Sequence, residues 1–248
     1  HAARFISVLP AGPLGDAAVG ELVRRGVETS SIVRTPGRLG LYFAEAGAGP
    51  RPSVVLYDRE SSAIALAAPG AIDWDRALEG AGWFHTSGIT PALSRSAAEL
   101  TREGLAAARS KGLKISIDLN HRAKLWRYGA SAPEVMRSLF AEADVGFANE
   151  EDCRAALGIG GGVIGPDGSA DPAAVEALLG RVMTEFPRLE RMAITLRESR
   201  SADHNVWSAA MRGPSGFRMG PRTEIFPIVD RIGAGDAFAA GLLHGLHA

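Results

Sequence analysis

Little in this chain would tie it together covalently or hold it in a membrane. Cys153 is its only cysteine, which excludes an internal disulfide framework and fits a reducing compartment. No apolar run reaches the ~20 residues of a membrane span, and no signal-peptide pattern opens the chain, so a cytoplasmic protein with no membrane partner is expected. Neither sign of charge is in excess, since 27 Lys and Arg against 28 Asp and Glu leave a net −1. That balance gives no basic footprint for nucleic acid. A Walker-type phosphate loop is missing too. Gly160-Gly161-Gly162-Val163-Ile164-Gly165 has no strand feeding it and no Lys-Ser/Thr after it, and it reads as a surface loop. The six histidines show no zinc spacing. His244 and His247 share a helix face without a third ligand, and His85 and His121 read as structural. No internal repeat or low-complexity linker divides the chain.

What is present is an ordinary globular composition, 46% hydrophobic and 22% charged over 248 residues. That length suits one large domain or two small ones. The pattern along the chain is mostly strand–helix–strand, which predicts a parallel α/β sheet. Strands are expected at residues 5–9, 83–88, 114–120, 144–149 and 191–196. Helices are expected at 15–25, 94–110, 133–143, 150–157 and 171–186. Residues 206–211 and 217–219 read as short antiparallel strands. The rhythm breaks once. Residues 39–44 and 53–59 are two strand-like runs around Gly47-Ala48-Gly49-Pro50, with no helix between them, which predicts a hairpin. A hairpin set into an α/β fold is a candidate lid; an edge hairpin without a ligand is the other reading.

The most informative stretch is Val229-Asp230-Arg231-Ile232-Gly233-Ala234-Gly235-Asp236-Ala237-Phe238. It opens an Ala- and Leu-rich helix. Gly233 and Gly235 permit a tight turn and close approach of a ligand. The first helical N–H groups lack internal partners and carry partial positive charge, so the turn is a candidate anion site. Asp236 sits at the same end. A carboxylate beside a phosphate is repulsive unless it takes a proton from an attacking hydroxyl, which makes Asp236 a candidate general base. In open α/β sheets ligands bind beyond the carboxyl ends of the strands. Asn120, Arg122, Asn149, Thr195 and Arg197 all fall at such ends, and the turn follows a short run at Ile228-Val229.

The string Asp-x-x-Gly-Ala-Gly-Asp followed by Ala-Phe resembles the second signature of the PfkB, or ribokinase-like, carbohydrate kinases. Arg38-Leu39-Gly40-Leu41-Tyr42-Phe43, Tyr57-Asp58-Arg59, His85-Thr86-Ser87-Gly88-Ile89-Thr90 and the run from Asp118 to Trp126 are similar to the members of that family that act on 2-keto-3-deoxygluconate. The likeness covers nearly the whole chain. It implies a ribokinase-like three-layer α/β sandwich over residues 1–248, with a mostly parallel central sheet and a small β lid inserted at about 38–62. It implies ATP-dependent phosphorylation of the terminal hydroxyl of 2-keto-3-deoxygluconate. Asp236 is then the catalytic base, and Gly233, Ala234 and Gly235 form the anion hole. Tyr42, Tyr57, Arg59, Ile89 and Arg122 bind the sugar acid; Asn149, Thr195 and Arg197 bind the nucleotide. Arginine suits such a substrate, because it grips a carboxylate through two parallel bonds.

Asp152 stands where the family has a glutamate that helps place Mg²⁺ through water, so its role toward the metal is indirect. Arg197 stands where many members have glycine. ATP and Mg²⁺ are the cofactors implied, with a monovalent cation as a further one to test. A homo-oligomer through the β lid is also implied. The family's N-terminal strand has no counterpart before His1, and its segment over adenine has none after Ala248, so absent ends are expected. Two alternatives stay open: a related kinase for a neutral sugar or nucleoside, and a sugar-acid-binding domain without activity.

Overall fold

The computed structural model describes residues 2–165 and 169–247. Strand β1 (Ser7–Pro10) runs into helix α1 (Pro13–Arg24) and returns as β2 (Ile32–Thr35). Strands β3 (Leu41–Glu45) and β4 (Val54–Asp58) follow, then two single-turn helices, α2 (Ala63–Leu66) and α3 (Trp74–Ala77). The chain continues as β5 (Trp83–Ser87), α4 (Ile89–Leu93), α5 (Arg95–Ser110), β6 (Lys114–Asp118), α6 (Ala132–Phe140), β7 (Val145–Asn149) and α7 (Glu150–Leu157). It ends with α8 (Pro172–Glu185), β8 (Arg191–Ser199), β9 (Asn205–Gly213), β10 (Gly216–Met219), β11 (Thr223–Ile225) and α9 (Ala234–His247).

The helix limits follow from local chemistry. Ser94 and Asp171 each accept a first-turn N–H at the start of α5 and α8. Gly158 ends α7 in the left-handed conformation at φ 72°. The main sheet has the order β10-β9-β8-β7-β6-β5, with β11 also on β9. Strands β5 to β8 are parallel, as the βαβ connections require, and β9 turns antiparallel to β8.

Strand alternation then sorts the residues into layers. Ile115, Ile117, Met192 and Ile194 point to one face, where they pack with Leu105, Met136, Leu157 and Leu178 from α5 to α8. Val145, Phe147 and Ala193 point to the other, under Phe238, Ala239 and Leu242 of α9. Helices on both faces of the sheet make the three-layer sandwich expected from the sequence.

Two details differ from the sequence-based expectation. β1 and β2 are parallel, but they pair with each other as a separate two-stranded sheet. Val8 packs against Ala63, Ala67 and Leu100 in its own small core. The run Ile228-Val229 is loop, with Val229 96% exposed, and the strand near it is β11. Residues 228–229 lack the alternation that would bury one side of a strand.

The hairpin forms as expected. β3 and β4 pair only with each other, with Tyr42 opposite Tyr57 and Phe43 opposite Leu56. Its tip is held by the β8–β9 turn, where the Ala202 N–H donates to the Gly49 carbonyl at 2.9 Å. The same turn reaches the other way, since the Ile228 N–H donates to the Asp203 carbonyl at 2.8 Å.

Gly88 marks the tightest approach at the sheet's carboxyl edge. Its N–H donates to the Asp118 carbonyl at 2.8 Å, and a Cβ there would lie 2.1 Å from the Leu119 carbonyl oxygen. The nearest obstacle is backbone and has no side-chain freedom with which to move aside, and the Met136 Cε lies at 3.2 Å beside it. Gly88→Ala is therefore expected to cost about 1–3 kcal/mol, the scale of core overpacking, read as a lower urea midpoint at unchanged slope. An unchanged midpoint would refute this contact.

Candidate active site

Alternation also sets the site. Asp118 ends β6, Asn149 ends β7, and Thr195 and Arg197 lie on β8; all share the face that α9 covers. Asn149 is directly opposite Thr195 in the parallel ladder. α9 brings its first turn over the same edge. Gly233 takes φ +77°, and its carbonyl accepts the Ala237 N–H at 2.8 Å, which starts the helix. Among the described residues no protein group accepts from the amides of Gly233, Ala234 or Gly235. Asp236 is exposed at this end of α9, on the side of His85 and Asp118, both of which feel its charge.

Asp152 is buried and structurally committed. One carboxylate oxygen accepts the His121 N–H at 3.0 Å, and the other accepts the Asn149 N–H at 3.0 Å. The Asn149 side chain accepts the Asp152 N–H at 2.8 Å, closing a reciprocal cap on α7. Burial raises the Asp152 pKa, against the two amide bonds. The shorter aspartate thus reaches two amides directly. The Asn149 side-chain nitrogen keeps both donors without a protein partner among the described residues.

Asp118 is the group that sequence reasoning passed over. Burial pushes its carboxyl up to about 7; Asp152 and Asp236 act the same way, opposed by the Asn120 N–H and Arg122. The Asn120 N–H donates to it at 3.1 Å, within a turn that holds Asn120 at φ +37°. Its position in the Asp-Leu-Asn run at the end of a buried strand was the available signal. Burial also lowers the His85 pKa, against the pull of Asp236, which fits a neutral ring held by Ser116 at 2.8 Å.

The predicted sugar-end residues come together as well. The Arg59 guanidinium lies 5.6 Å from the Tyr42 ring centre and 5.4 Å from that of Tyr57, a cation–π clamp on the hairpin. Burial lowers its pKa; the tyrosines oppose this, and the charge of Arg122 adds to it. Arg122 is turned back onto the His121 carbonyl at 2.8 Å. The Lys124 ammonium contacts the Val55 carbonyl at 3.5 Å and ties that loop to the hairpin. Ile89 starts α4, its N–H on the Ser87 hydroxyl at 3.2 Å. Arg197 is desolvated, which lowers its pKa; Arg231 does so too, Glu151 opposes, and Arg122 adds a smaller push. Among the described residues there is no cluster of three acidic, His or Cys side chains suited to a metal ion.

An arginine over two tyrosines, a carboxylate at a helix start and open amides beside it are groups suited to a small anionic ligand. Comparison with known proteins points the same way. Residues 1–199 match the family described as pfkB family carbohydrate kinase. The chain is 36% identical over 244 residues to the 2-dehydro-3-deoxygalactonokinase of Haloferax volcanii, covering 98% of this chain and 69% of that protein. It is 28% identical over 236 residues to the 2-dehydro-3-deoxygluconokinase of Bacillus subtilis, covering 94% of this chain and 65% of that one. The solved structure of 2-dehydro-3-deoxygluconokinase from Thermotoga maritima superposes with a TM-score of 0.90 at 42% identity, over 98% of this chain and 72% of that chain. A fructokinase from Xylella fastidiosa with bound ATP, at 21% identity and TM-score 0.76, shares the fold.

The raised Asp118 pKa has a consequence for stability. The folded protein holds this proton to about pH 7 and the unfolded chain only to 3.8. The stabilisation is therefore complete below about pH 4 and lost as pH rises through about 7, on the order of 4 kcal/mol in all. Asp118→Asn, which cannot ionise, should melt above the wild type at pH 8.5, with the gap closing toward pH 5.5. A gap that does not change with pH would contradict the burial of this carboxyl.

Proposed function

The chain belongs to the pfkB family of carbohydrate kinases, and on that premise we propose that it phosphorylates the terminal hydroxyl of 2-keto-3-deoxygluconate with ATP. One observation carries the reading: Arg59 lies over the rings of Tyr42 and Tyr57 on the hairpin and feels the charge of Arg122, and neither guanidinium has an ion-pair partner among the described residues. A neutral sugar offers nothing to balance two unpaired guanidiniums, whereas a sugar acid brings a carboxylate that each can grip.

In this mechanism the carboxylate end is held at the hairpin, with Ile89 beside the carbon chain. The terminal hydroxyl lies by Asp236, which takes its proton as the hydroxyl oxygen bonds to the γ-phosphorus. The bond from that phosphorus to the bridging oxygen breaks and ADP leaves. The amides of Gly233, Ala234 and Gly235 hold the charge on the transferring group. Asn149, Thr195 and Arg197 steady the nucleotide. Mg²⁺ fits as a passenger on the phosphates and not as an ion in a protein cage, because Asp152 already accepts two amides and no acidic cluster surrounds it. Asp152 and Asn149 would reach it through water, and it would neutralise charge between phosphate oxygens.

The hairpin acts as a lid that excludes water from the transfer. Its outer face exposes Phe43 by 58% and Leu56 by 61%, and a second copy of the chain covers them in this reading. No helix among the described residues is long and apolar enough to cross a membrane, and a requirement for ATP fits a cytoplasmic setting. The Haloferax relative's name favours one second reading, the C4-epimeric acid 2-keto-3-deoxygalactonate, as the better substrate.

A coupled ADP-release assay on the full-length protein, with both epimeric acids, ribose and fructose, tests the proposal. Turnover confined to the neutral sugars would overturn it. Asp236→Asn should lower kcat by ~10²–10⁴ with a modest change in KM; near-normal turnover would remove Asp236 as the base. Arg122→Ala should raise KM for the acid at least tenfold, the scale of a lost charge-assisted bond. Equal loss on acid and neutral sugars would refute the carboxylate contact.

A further inference from the structure

Four arginines act on one another through their charges: Arg59 feels Arg122, and Arg197 feels both Arg122 and Arg231. Among the described residues none of the four has an acidic partner within ion-pair distance, although ion pairs elsewhere are frequent. The sugar-acid reading occupies the first two. Arg197 and Arg231 remain, at the end where α9 starts.

Arg231 stands two residues before Gly233, in the loop that delivers the turn. It is held from one side only. The buried Asn205 amide is satisfied when its oxygen accepts from Arg231 Nη2 at 3.1 Å and its nitrogen donates to the His204 carbonyl at 2.9 Å. The Arg231 Nε is buried and has no protein partner. The neighbouring Asp230 accepts the Ile232 N–H at 2.9 Å and makes no ion pair with Arg231 among the described residues. A guanidinium always carries its charge, and a buried N–H without an acceptor is costly. One buried guanidinium N–H of this kind beside open helix amides, with Arg197 near enough to feel its charge, suits an anion with more than one charge and several acceptor oxygens.

We propose that Arg231, together with Arg197, grips the phosphate chain of the nucleotide beyond its first phosphate, with Asn205 orienting the Arg231 fork. The assignment rests on the phosphate site proposed at the 233–235 turn. It divides the row of arginines by ligand: Arg59 and Arg122 take the carboxylate of the sugar acid, and Arg197 and Arg231 take phosphate oxygens. Arg231 keeps its proton throughout and moves none.

Calorimetry on the full-length protein with ADP and with AMP, in the absence of any sugar acid, tests this. Arg231→Ala should weaken ADP at least tenfold and AMP by less than twofold, because AMP lacks the second phosphate. Arg231→Lys should recover part of the ADP affinity, keeping the charge and losing the fork. Asn205→Ala should weaken ADP less than Arg231→Ala does. Melting temperature is followed for each variant, and any that melts below the assay range is replaced by Arg231→Gln, for which the same ADP-selective loss is expected. Unchanged ADP affinity, or equal loss for ADP and AMP, would overturn the assignment. Binding is read without turnover, so this result and the substrate proposal fail separately. An Arg231-dependent preference for ADP in a protein inert toward sugar acids would refute only the substrate. An active kinase with intact ADP binding in Arg231→Ala would refute only this inference.

Discussion

Both oxygens of one buried carboxylate, Asp152, are engaged by backbone amides that belong to different segments, His121 after β6 and Asn149 at the end of β7. Much of the site hangs on that pair of bonds. They fix where the loop carrying Arg122 leaves the sheet, and they fix the start of α7. A carboxylate satisfied in this way tolerates burial that would otherwise force it to protonate. The longer glutamate of the wider pattern would have to bend to meet the same two amides, so the aspartate here is suited to a structural tie. It also sets the electrostatic frame, because its charge helps keep the neighbouring Asp118 carboxyl protonated to about pH 7.

The cleft is thus a place where like charges have been brought together on purpose of geometry: acids at its floor and arginines along its wall. Beside burial, Asp152 and Asp236 raise the cost of ionising Asp118, while Arg122 weighs on Arg59 and both Arg231 and Arg122 weigh on Arg197. Such a cleft is less stable than one with matched pairs, and ligands of the right charge relieve it. Two separate anions fit the wall better than one, since the arginines extend from the hairpin to the helix start. That distribution is what a two-substrate transfer needs.

Much of this was legible in the residues. The Gly233–Asp236 turn is local chemistry, and its helix begins where the sequence places it. The hairpin was visible because two strand-like runs, 39–44 and 53–59, flank Gly47-Ala48-Gly49-Pro50 with no helix between them, and the folded strands pair Tyr42 with Tyr57 and Phe43 with Leu56. Gly158 and Asp171 bounded their helices, the glycine by its left-handed backbone and the aspartate by its side-chain cap. What escaped was non-local. Nothing near β1 says that it pairs with β2 apart from the main sheet, because parallel pairing is set by contacts distant in sequence. Asp118 looked like one acid at a strand end, and its altered titration arises first from burial in the folded sheet and then from Asp152 and Asp236, 34 and 118 positions away. Arg231 lies inside the motif that drew most notice, yet its lack of a partner is visible only once Asn205 and Arg197 are folded around it.

The β8–β9 turn is a small element with two attachments, one to Gly49 at the hairpin tip and one to Ile228 in the loop ahead of α9. The two ends of the cleft therefore share a hinge pin outside the cleft itself. Any shift of the hairpin over an acid is transmitted through residues 202–203 to the strand of chain that carries Arg231. A ligand that moved the hairpin would thereby move the loop ahead of α9, and ligands held at those two places would be thermodynamically linked.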